Sequence, residues 1–419
     1  MTTPDERLES TAQASVKRSG PLAARGFRLL AGGQFASTIG DCCYAVALPW
    51  LVLSGHGGAV LLGTVLACYG VPRTALIPVG GVVADRIGPR RLMLFADLAR
   101  CVLVAVLALL ATRHTASLAA LGPTAALIGA GEGLFLPASF AILPTLVDSE
   151  RLAAGNAFCS AAVQTGSLIG PAIGGALVAA TGASTVAFAV DAASFAVSAL
   201  TLALIPVTAQ AGGPAGRAEQ PATSQPTVRG WLRESRALQI ILVVVVAANL
   251  AGGGMGQVAL PSLAHDSYGA AGYGALLACQ AAGAVIGTLT AARTGRLRTP
   301  TVFAGMVFLG QSTAMCLVPY LGGEAGAATA LVVVGVTNGL GNTVFLTVTQ
   351  RQVPPALLGR VMGVIMLCAF GSFPLSVAVT GLLVRHIGPA PFFPIAGGLL
   401  AIAILAGLTQ PEFRRFGRI

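Results

Sequence analysis

The fold is decided by residues 61–112, which read LLGTVLACYGVPRTALIPVGGVVADRIGPRRLMLFADLARCVLVAVLALLAT. Two apolar runs flank a turn that holds one aspartate, Asp85, and three arginines. Each run provides the ~20 residues that an α-helix needs to cross the hydrocarbon core of a bilayer. The stretch therefore predicts two membrane-spanning helices that are joined by a short basic turn.

The composition of the whole chain agrees with a membrane protein. Of its 419 residues, 55% are apolar or aromatic and only 10% are charged. A soluble globular domain carries about 25% charged residues, so this chain cannot build a water-exposed surface. A soluble α/β enzyme, a disordered chain and a collagen-like chain are excluded. Twelve helices of ~20–22 residues would use about 260 residues and leave about 160 for the ends and connections.

Apolar runs bounded by Gly, Pro and charged residues predict two series of six spans. The first series covers residues 28–53, 59–84, 91–112, 118–146, 154–180 and 183–206, and the second covers 237–263, 271–292, 300–320, 326–349, 360–384 and 389–409. A polar segment between them predicts a flexible linker that ends in an interfacial helix at residues 231–236. The predicted regions are a cytoplasmic tail (1–26), a six-helix bundle (27–206), the linker with its interfacial helix (207–236), a second six-helix bundle (237–409) and a cytoplasmic tail (410–419).

The two series of spans resemble each other in sequence. The basic turn at residues 86–91 corresponds to residues 293–298, and residues 146–152 correspond to residues 352–358. We therefore predict an all-α membrane protein with twelve transmembrane helices arranged as two six-helix pseudo-repeats. In transporters built from parallel repeats, the substrate site lies between the halves near the bilayer midplane.

The positions of the 25 Lys and Arg residues predict the orientation in the membrane. With a cytoplasmic N-terminus, 21 of them fall in cytoplasmic segments, two in outside loops and two within spans. Because cytoplasmic loops are enriched in Lys and Arg, we expect a multi-pass protein of the cytoplasmic membrane with both termini in the cytoplasm. The net charge of +10 then reflects anionic lipids as partners, and nucleic acid is not an expected partner.

The turn between spans 2 and 3 carries the pattern Gly81-Val-Val-Ala-Asp85-Arg86-Ile-Gly88-Pro89-Arg90-Arg91. It resembles the signature G-x-L-a-D-R-x-G-R-K of the major facilitator superfamily, with a departure at Pro89, where the family has a basic residue. The resemblance implies the major facilitator fold and a conformational latch that holds the outward-facing state by contact with span 11 near Gly359 and Arg360. The implied latch residues are Gly81, Asp85, Arg86, Gly88, Arg90 and Arg91. The alternative is that the arginines only set the topology.

Span 5 carries a second pattern, Gly166-Ser-Leu-Ile-Gly170-Pro171-Ala-Ile-Gly174-Gly175. Glycines four residues apart lie along one helix face and allow close packing, while a proline removes a backbone hydrogen bond. The pattern resembles the signature G-x-x-x-G-P-x-x-G-G of antiporters, which implies export in exchange for protons and a seal between the halves. Ordinary packing of small residues is the alternative role.

Shorter phrases resemble the drug:proton antiporter branch that contains multidrug and enterobactin exporters. They are Gly40-Asp41 with Ala47-Leu48-Pro49-Trp50, and the segment from Pro354 to Gly359-Arg360-Val361. Together with the two longer patterns, the resemblance extends over essentially the whole chain.

Six ionisable residues lie within predicted spans, namely Asp41, Arg73, Asp97, Arg100, Glu132 and Asp191. A charged side chain costs about 2.5–3.5 kcal/mol at the centre of a span, so each should face protein or a wet cavity. At ~1.5 Å per residue, three of them reach one level, about 18–22 Å from the cytoplasmic ends of their spans. These three, Asp41, Arg73 and Glu132, are predicted to couple transport to protons.

Arg73 can pair with only one of the two carboxylates, Asp41 or Glu132. The other carboxylate has no cation in reach, and burial then disfavours its charged form. A carboxyl group that gains and loses a proton is what a proton-coupled carrier requires, so we predict that the two acids compete for Arg73. A static ion pair between Asp41 and Arg73 and direct substrate binding are the alternatives.

The other polar residues in spans are assigned to packing or to the substrate cavity. Asp97 and Arg100 are predicted to form a structural pair, and Asp191 is interpreted as a hydrogen-bonded packing residue. The second half has no acid within a span and offers amides instead. Amides can orient a neutral or weakly polar substrate, although hydrogen bonds between helices are an alternative role. The predicted substrate-cavity residues are Asn249, Gln257, Asn338 and Asn342.

These predictions combine into a proton-coupled transporter that exports a small hydrophobic or amphiphilic compound, such as a drug, a siderophore or a secondary metabolite, by alternating access. The expected partners are this compound, protons and membrane lipids, and the chain is expected to be a monomer. The nearest alternative is an importer or symporter of a small nutrient on the same fold. An alternative from another class is a membrane sensor or scaffold that does not transport.

Catalytic chemistry is not predicted. The sequence has no G-x-x-x-x-G-K-[ST] loop for ATP and no indicated Ser/His/Asp set, so the chain is not expected to be an enzyme. Its eight cysteines fall in apolar stretches without CxxC or CxxH spacing. We therefore predict no metal site and no cofactor.

Overall fold

Long helices make up the molecule. The computed structural model describes residues 24–55, 57–113, 117–148, 151–206, 235–291, 299–353 and 355–416. Within these ranges, twelve helices are long and apolar enough to cross a membrane, and no strand occurs. The first six are α1 (Arg25–Ser54), α2 (Gly58–Ile87), α3 (Pro89–Thr112), α4 (Leu118–Ile142), α5 (Leu152–Thr181) and α6 (Thr185–Leu204). The second six are α7 (Arg236–Ser267), α8 (Gly269–Ala291), α9 (Pro300–Leu317), α10 (Gly323–Gln352), α11 (Pro355–Ile387) and α12 (Phe392–Thr409), followed by the short α13 (Pro411–Arg415).

The helices begin and end at residues that favour helix termination. α2 ends at Ile87 because Gly88 has a φ of 87°, and α3 begins at Pro89, whose missing N–H costs nothing in a first turn. Ser117 caps α4 by accepting a hydrogen bond from the Ala120 N–H. The twelve predicted spans are confirmed. The predicted N-terminal tail and nearly all of the linker with its interfacial helix lie outside the described residues.

The outer surface of the bundle is apolar. Large side chains such as Phe95, Leu289 and Ile402 are each more than 60% exposed, and similar residues are spread over the other helices. A monomeric soluble protein rarely exposes so much contiguous apolar surface. This surface fits the acyl chains of a bilayer, as the composition predicts.

The two halves repeat the same packing. In the first half, α1 packs on α5 and α6, α2 packs on α4, and α3 packs on α4 and α6. In the second half, α7 packs on α11 and α12, α8 packs on α10, and α9 packs on α10 and α12. The arrangement confirms two six-helix pseudo-repeats. The halves meet where α2 packs on α11 and where α5 packs on α8, and these two contacts are also equivalent.

The contacts between the halves lie near one face of the bundle. We call the face where α1 begins and α12 ends the terminal face, and the other one the opposite face. Near the opposite face, a Cβ placed on Gly381 of α11 would lie 2.6 Å from the Ala59 carbonyl oxygen. One placed on Gly175 of α5 would lie 2.7 Å from the Ala270 carbonyl oxygen. Only glycine permits such close approach of two backbones, so these glycines close the opposite face.

Toward the terminal face, α2 and α11 separate. A Cβ on Gly70 would still lie 2.8 Å from the Phe373 ring. Gly81 lies about a whole number of turns from Gly70 on α2, and Gly363 about a whole number of turns from Gly381 on α11, so each stays on the same face of its helix. No atom lies within 4 Å of a Cβ placed on Gly81 or Gly363. The gap between α2 and α11 therefore widens toward the terminal face.

Candidate functional site

A cavity of about 220 Å³ lies between the halves, about halfway along α1, α2 and α4. We call it the acid lobe and define it by its five ionisable lining residues, Asp41, Arg73, Arg100, Glu132 and Asp191. All five belong to the first half. The second half contributes two uncharged side chains to the wall, Gln257 and Phe373.

Arg73 and Glu132 form an ion pair in the acid lobe, with Arg73 Nη2 2.9 Å from Glu132 Oε1. The Tyr69 hydroxyl donates a hydrogen bond to Glu132 Oε2. On α4, Gly129 and Gly133 face the backbone carbonyls of Tyr69 and Arg73 so closely that a Cβ would clash with them. Close packing of α2 on α4 through these glycines therefore brings the three side chains together.

The Arg73 guanidinium also contacts the second half of the molecule. Its Cζ lies 4.9 Å from the centre of the Phe370 ring on α11 and 5.8 Å from the centre of the Tyr69 ring. The Thr74 hydroxyl donates a 3.2 Å hydrogen bond to the Phe370 carbonyl oxygen. A cation above an aromatic ring is stabilised by the ring's negative face. The ion pair is therefore held by residues of both halves.

Asp41 shares the cavity with this ion pair and remains separate from it. Its side chain is exposed to the cavity, and it forms no ion pair with any described residue. Arg73 pairs with Glu132, so the alternative of an Asp41–Arg73 ion pair is not the arrangement of this conformation. The structure brings the three predicted coupling residues into one cavity and leaves Asp41 without a counter-ion.

Asp97 and Arg100 form the pair that their spacing on α3 suggests. Arg100 Nη2 lies 2.5 Å from Asp97 Oδ1, and the Ser198 hydroxyl donates a 2.6 Å hydrogen bond to Asp97 Oδ2. The rings of Phe135 and Phe195 lie 4.5 and 4.4 Å from Arg100 Cζ. These contacts fix the guanidinium in place. Arg100 also lines the acid lobe.

Asp191 lies in the wall of the acid lobe, which the sequence interpretation missed. The expected hydrogen bond is present, since the Ser194 hydroxyl lies 3.5 Å from Asp191 Oδ1. Asp191 is 1% exposed, which agrees with a packing role, and it also faces α1 and the cavity. Asp191, Ser194 and Ser198 are spaced by three and four residues, and this polar stripe was the available signal that one face of α6 is turned inward.

A second cavity of about 330 Å³ lies between α5 and α8. We call it the amide lobe and define it by its polar lining side chains, Gln164, Ser167, Gln257, Tyr273, Gln280 and Asn338; Pro171 also lines it. Gln257 and Ala45 line both lobes. Gln257 belongs to a π-helical turn of α7, Met255–Ala259, and such turns occur frequently at functional sites.

The amide lobe is the structural equivalent of the acid lobe. On α10, Gly335 and Gly339 face the carbonyls of α8 as closely as Gly129 and Gly133 of α4 face those of α2. These matching contacts define equivalent positions in the two halves. The equivalent pairs are Tyr69 and Gln280, Arg73 and Ala284, and Glu132 and Asn338.

Two of the predicted substrate-cavity residues lie away from both lobes. Asn249 donates a 2.9 Å hydrogen bond to the Val245 carbonyl oxygen of its own helix. Asn342 is exposed and donates a 3.1 Å hydrogen bond to Asn338 Oδ1. Gln257 and Asn338 are the predicted cavity residues that line the lobes.

The family follows from the whole-chain pattern. The sequence model of the Major Facilitator Superfamily matches residues 30–377. The chain belongs to the major facilitator superfamily. It is therefore a multi-pass membrane transporter, and the twelve helices, the two pseudo-repeats and the cavity between them are those of this superfamily.

Curated relatives match nearly the full chain. The multidrug efflux pump Tap of Mycolicibacterium fortuitum is 26% identical over 405 residues, which are 93% of this chain and 95% of the relative. The enterobactin exporter EntS of Shigella boydii is 27% identical over 396 residues, which are 93% of each chain. These relatives are bacterial transporters and not enzymes, which places the chain in a cell membrane.

Solved structures share the fold. A peptide transporter in complex with sulfate has a TM-score of 0.70 and 18% identity, and the match covers 94% of this chain and 96% of that one. A bacterial homologue of the iron transporter ferroportin in the inward-facing state has a TM-score of 0.67 and 15% identity, covering 91% and 98% of the two chains.

The superfamily signature lies at the terminal face. Arg90 donates hydrogen bonds of 2.7 and 2.6 Å to the carbonyl oxygens of Leu202 and Ala203, at the end of α6. Asp85, Arg86 and Arg91 are exposed. Arg90 thereby adds a charged donor at the end of α6, where the Leu202 oxygen also accepts a hydrogen bond from the Ile205 N–H. The implied contact with Gly359 and Arg360 falls on side chains outside the described part of the chain.

The glycines of the antiporter signature face two different helices. Gly166, Gly170 and Gly174 lie against α1 within the first half, and a Cβ on Gly170 would lie 2.6 Å from Cys42 Cβ. Gly175 faces α8 of the second half. Most glycines of the signature therefore pack α5 on α1 within the first half. The end that contains Gly175 contributes to the contact between the halves.

Proposed function

We propose that this transporter exports a small hydrophobic or amphiphilic compound in exchange for protons, by alternating access. The observation that carries the proposal is the arrangement of Asp41, Arg73 and Glu132. Arg73 lies in one cavity with both of these carboxyl groups and pairs with Glu132. The names of the curated relatives, an efflux pump and an exporter, support the direction of transport.

The orientation of the proposed cycle comes from the basic residues. Of the 25 Lys and Arg, 21 fall in segments that the sequence assigns to the cytoplasm, and the described ones among them lie at helix ends of the terminal face, which favours a cytoplasmic location for that face. The gap between α2 and α11 that widens there would then face the cytoplasm. In this orientation the present conformation is the one that admits a substrate for export.

The proton step follows from competition for Arg73. When Glu132 takes up a proton, its carboxyl group loses the negative charge that holds Arg73, and the guanidinium is free to turn toward Asp41. When Glu132 releases the proton to the cytoplasm, the ion pair with Arg73 reforms and Asp41 is again without a counter-ion. Because an uncompensated charge is costly in the membrane, each charge state favours a different arrangement of the cavity.

The test is proton-driven accumulation in inverted membrane vesicles. A panel of lipophilic cations, macrolides and siderophores is offered with and without an imposed ΔpH. We expect at least one compound to accumulate only when the vesicle interior is acidic, and an uncoupler to release it. Accumulation driven in the reverse direction would indicate an importer. Failure of every compound under ΔpH would contradict proton exchange.

A further inference from the structure

The charges around the acid lobe do not balance within the protein. The first half brings together four carboxyl groups and two guanidinium groups there, belonging to Asp41, Asp97, Glu132, Asp191, Arg73 and Arg100. Both guanidinium groups are taken, one by Glu132 and the other by Asp97. Asp41 and Asp191 have no ion pair with any described residue.

The Asp191 carboxyl group packs against α1 next to Asp41, and both residues line the acid lobe. A Cβ placed on Gly40, the residue before Asp41, would lie 2.6 Å from Asp191 Oδ1. In the wall of the lobe, Asp191 is only 1% exposed, whereas Asp41 is exposed to the cavity. A ligand in the lobe therefore meets Asp41 directly and Asp191 at slightly longer range. Two acids that line one cavity and form no ion pair with any described residue favour a cation in the space beside them.

The remaining wall of the acid lobe also suits a cation. Tyr44, Tyr69, Phe195 and Phe373 line it with aromatic rings, and a cation over such a ring gains about 0.5–2 kcal/mol. The Tyr44 hydroxyl is buried without a hydrogen-bond partner among the described residues, so it is available to a polar group of a ligand.

The amide lobe has the opposite character. No charged side chain occurs among the residues that line it, and its polar groups are amides and hydroxyls. Amides donate and accept hydrogen bonds without selecting for charge. Because Ala45 and Gln257 line both lobes, one ligand can extend from the acids of the first half to the amides of the second.

We propose that the substrate is an elongated compound with a protonated amine at one end and a neutral, hydrogen-bonding body at the other. The amine binds against Asp41, with Asp191 behind it, and the body occupies the amide lobe. This inference rests on the proposed transport function and specifies its substrate class. It excludes an anionic siderophore, because an anion would meet like charge in the acid lobe.

The first test uses purified full-length protein and pairs of compounds that differ only in the amine charge. Puromycin and N-acetylpuromycin form one pair, further primary amines and their N-acetyl derivatives form others, and a tris-catecholate siderophore serves as the anion. Binding is measured by calorimetry without any proton gradient. We expect at least one amine to bind at least about tenfold more tightly than its acetylated partner, and no binding of the catecholate.

Variants then locate the amine and the body. Asp41→Asn is expected to lower amine affinity at least about tenfold, and Asp191→Asn by a smaller factor, because Asp191 does not contact the ligand. Asp148→Asn is the matched control, because this substitution removes the same charge outside the cavity. Asp148 is 76% exposed at the terminal face. Gln280→Leu should weaken puromycin and leave a simple alkyl amine unaffected.

Three results would overturn the inference. They are equal affinity for an amine and its acetylated partner, binding of only neutral or anionic compounds, and no binding of any amine. The vesicle experiment separates this failure from failure of the proposed function. If a neutral or anionic compound accumulates under ΔpH, proton-driven export stands and the amine assignment is wrong. If amines bind and never accumulate under ΔpH, the assignment of the site stands and proton exchange is wrong.

Discussion

The two halves of this transporter use the same helix packing to hold different chemistry. Glycines of α4 bring Tyr69 against Glu132, and the equivalent glycines of α10 bring Gln280 near Asn338. Where the first half has the guanidinium of Arg73, the second has the methyl group of Ala284. The acid lobe and the amide lobe are therefore two versions of one structural element.

The difference shows that charge is dispensable for the fold. In the described spans of the second half, the only acids are Asp266 and Glu324, which are exposed at helix ends, and its helices pack as closely as those of the first. Since each charged side chain in a span costs about 2.5–3.5 kcal/mol on insertion scales, the first half carries a burden that packing does not require. This comparison favours a functional role for the charges.

Glu132 and Asn338 occupy equivalent positions, and only Glu132 can carry a charge. Replacing Glu132 by Gln removes this difference and should have the largest effect on transport. With a ΔpH of about two units across the vesicle membrane, exchange of one proton for one substrate molecule supports about a 100-fold accumulation of substrate. Glu132→Gln should reduce this ratio to near one, because the carboxyl group that exchanges the proton is gone. Accumulation in inverted vesicles measures the ratio, and gel filtration confirms that the variant folds. Asn338→Ala, at the equivalent position, is the control and should keep its response to ΔpH; an unchanged ratio in Glu132→Gln would remove Glu132 from coupling.

The two contacts that close the opposite face, α5 on α8 and α2 on α11, are equivalent and should respond equally to substitution, although the two lobes differ in chemistry. Gly175→Val and Gly381→Val should each destabilise the closed opposite face by about 1–3 kcal/mol, because both place a side chain against a backbone carbonyl. In a background without the native cysteines, cross-linking of Ser54→Cys to His265→Cys reports this closure, since their side chains lie 3.4 Å apart. Gly398→Val meets no neighbour and is the control. If only one of the two glycine variants lost the cross-link, the equivalence of the two contacts would be refuted.

Arg90 tests the stability of the first half alone. Arg90→Ala should lower the free energy of unfolding by about 1–2 kcal/mol, because two carbonyls at the end of α6 lose a charged donor. The melting temperature in detergent measures the effect. Arg91→Ala removes the same charge from an exposed position and should leave the melting temperature unchanged. Equal melting temperatures for the two variants would mean that the Arg90 hydrogen bonds contribute nothing.

The smallest effect is expected from amides outside the lobes. Asn342→Ala should change substrate affinity by less than about twofold, because its hydrogen bond to Asn338 is exposed. Asn338→Ala removes a group that lines the amide lobe and should weaken binding by several-fold. Calorimetry with the same compound measures both. The reverse order would place the substrate closer to the terminal face than the amide lobe.

The helices were predictable because each depends on local sequence. A run such as residues 91–112 is apolar except for Arg91, Asp97 and Arg100, and the Gly88-Pro89 step ends one helix and begins the next. The common level of Asp41, Arg73 and Glu132 followed from the rise per residue alone. The depth of a residue along a span can therefore be predicted from its number of residues from the end of the span.

The rotation of each helix was harder to predict, because it depends on the neighbours. Asp191 was assigned to packing, although its side of α6 faces α1 and the acid lobe. Asn249 was assigned to the cavity, although its amide bonds to its own helix. The partner of Arg73 could not be chosen either, since α2 approaches α4 through Gly129 and Gly133, and this contact joins residues far apart in sequence.

Phe370 gives the second half a direct influence on the Arg73 guanidinium of the first half. Its ring stacks on Arg73 only while α2 and α11 are close, so any rotation of one bundle about the other changes the stabilisation of that cation. The relative position of the two bundles and the stabilisation of the Arg73 charge therefore change together. A spectroscopic label that reports the distance from residue 370 to residue 73 would follow both the tilt of the bundles and the loading of the carrier.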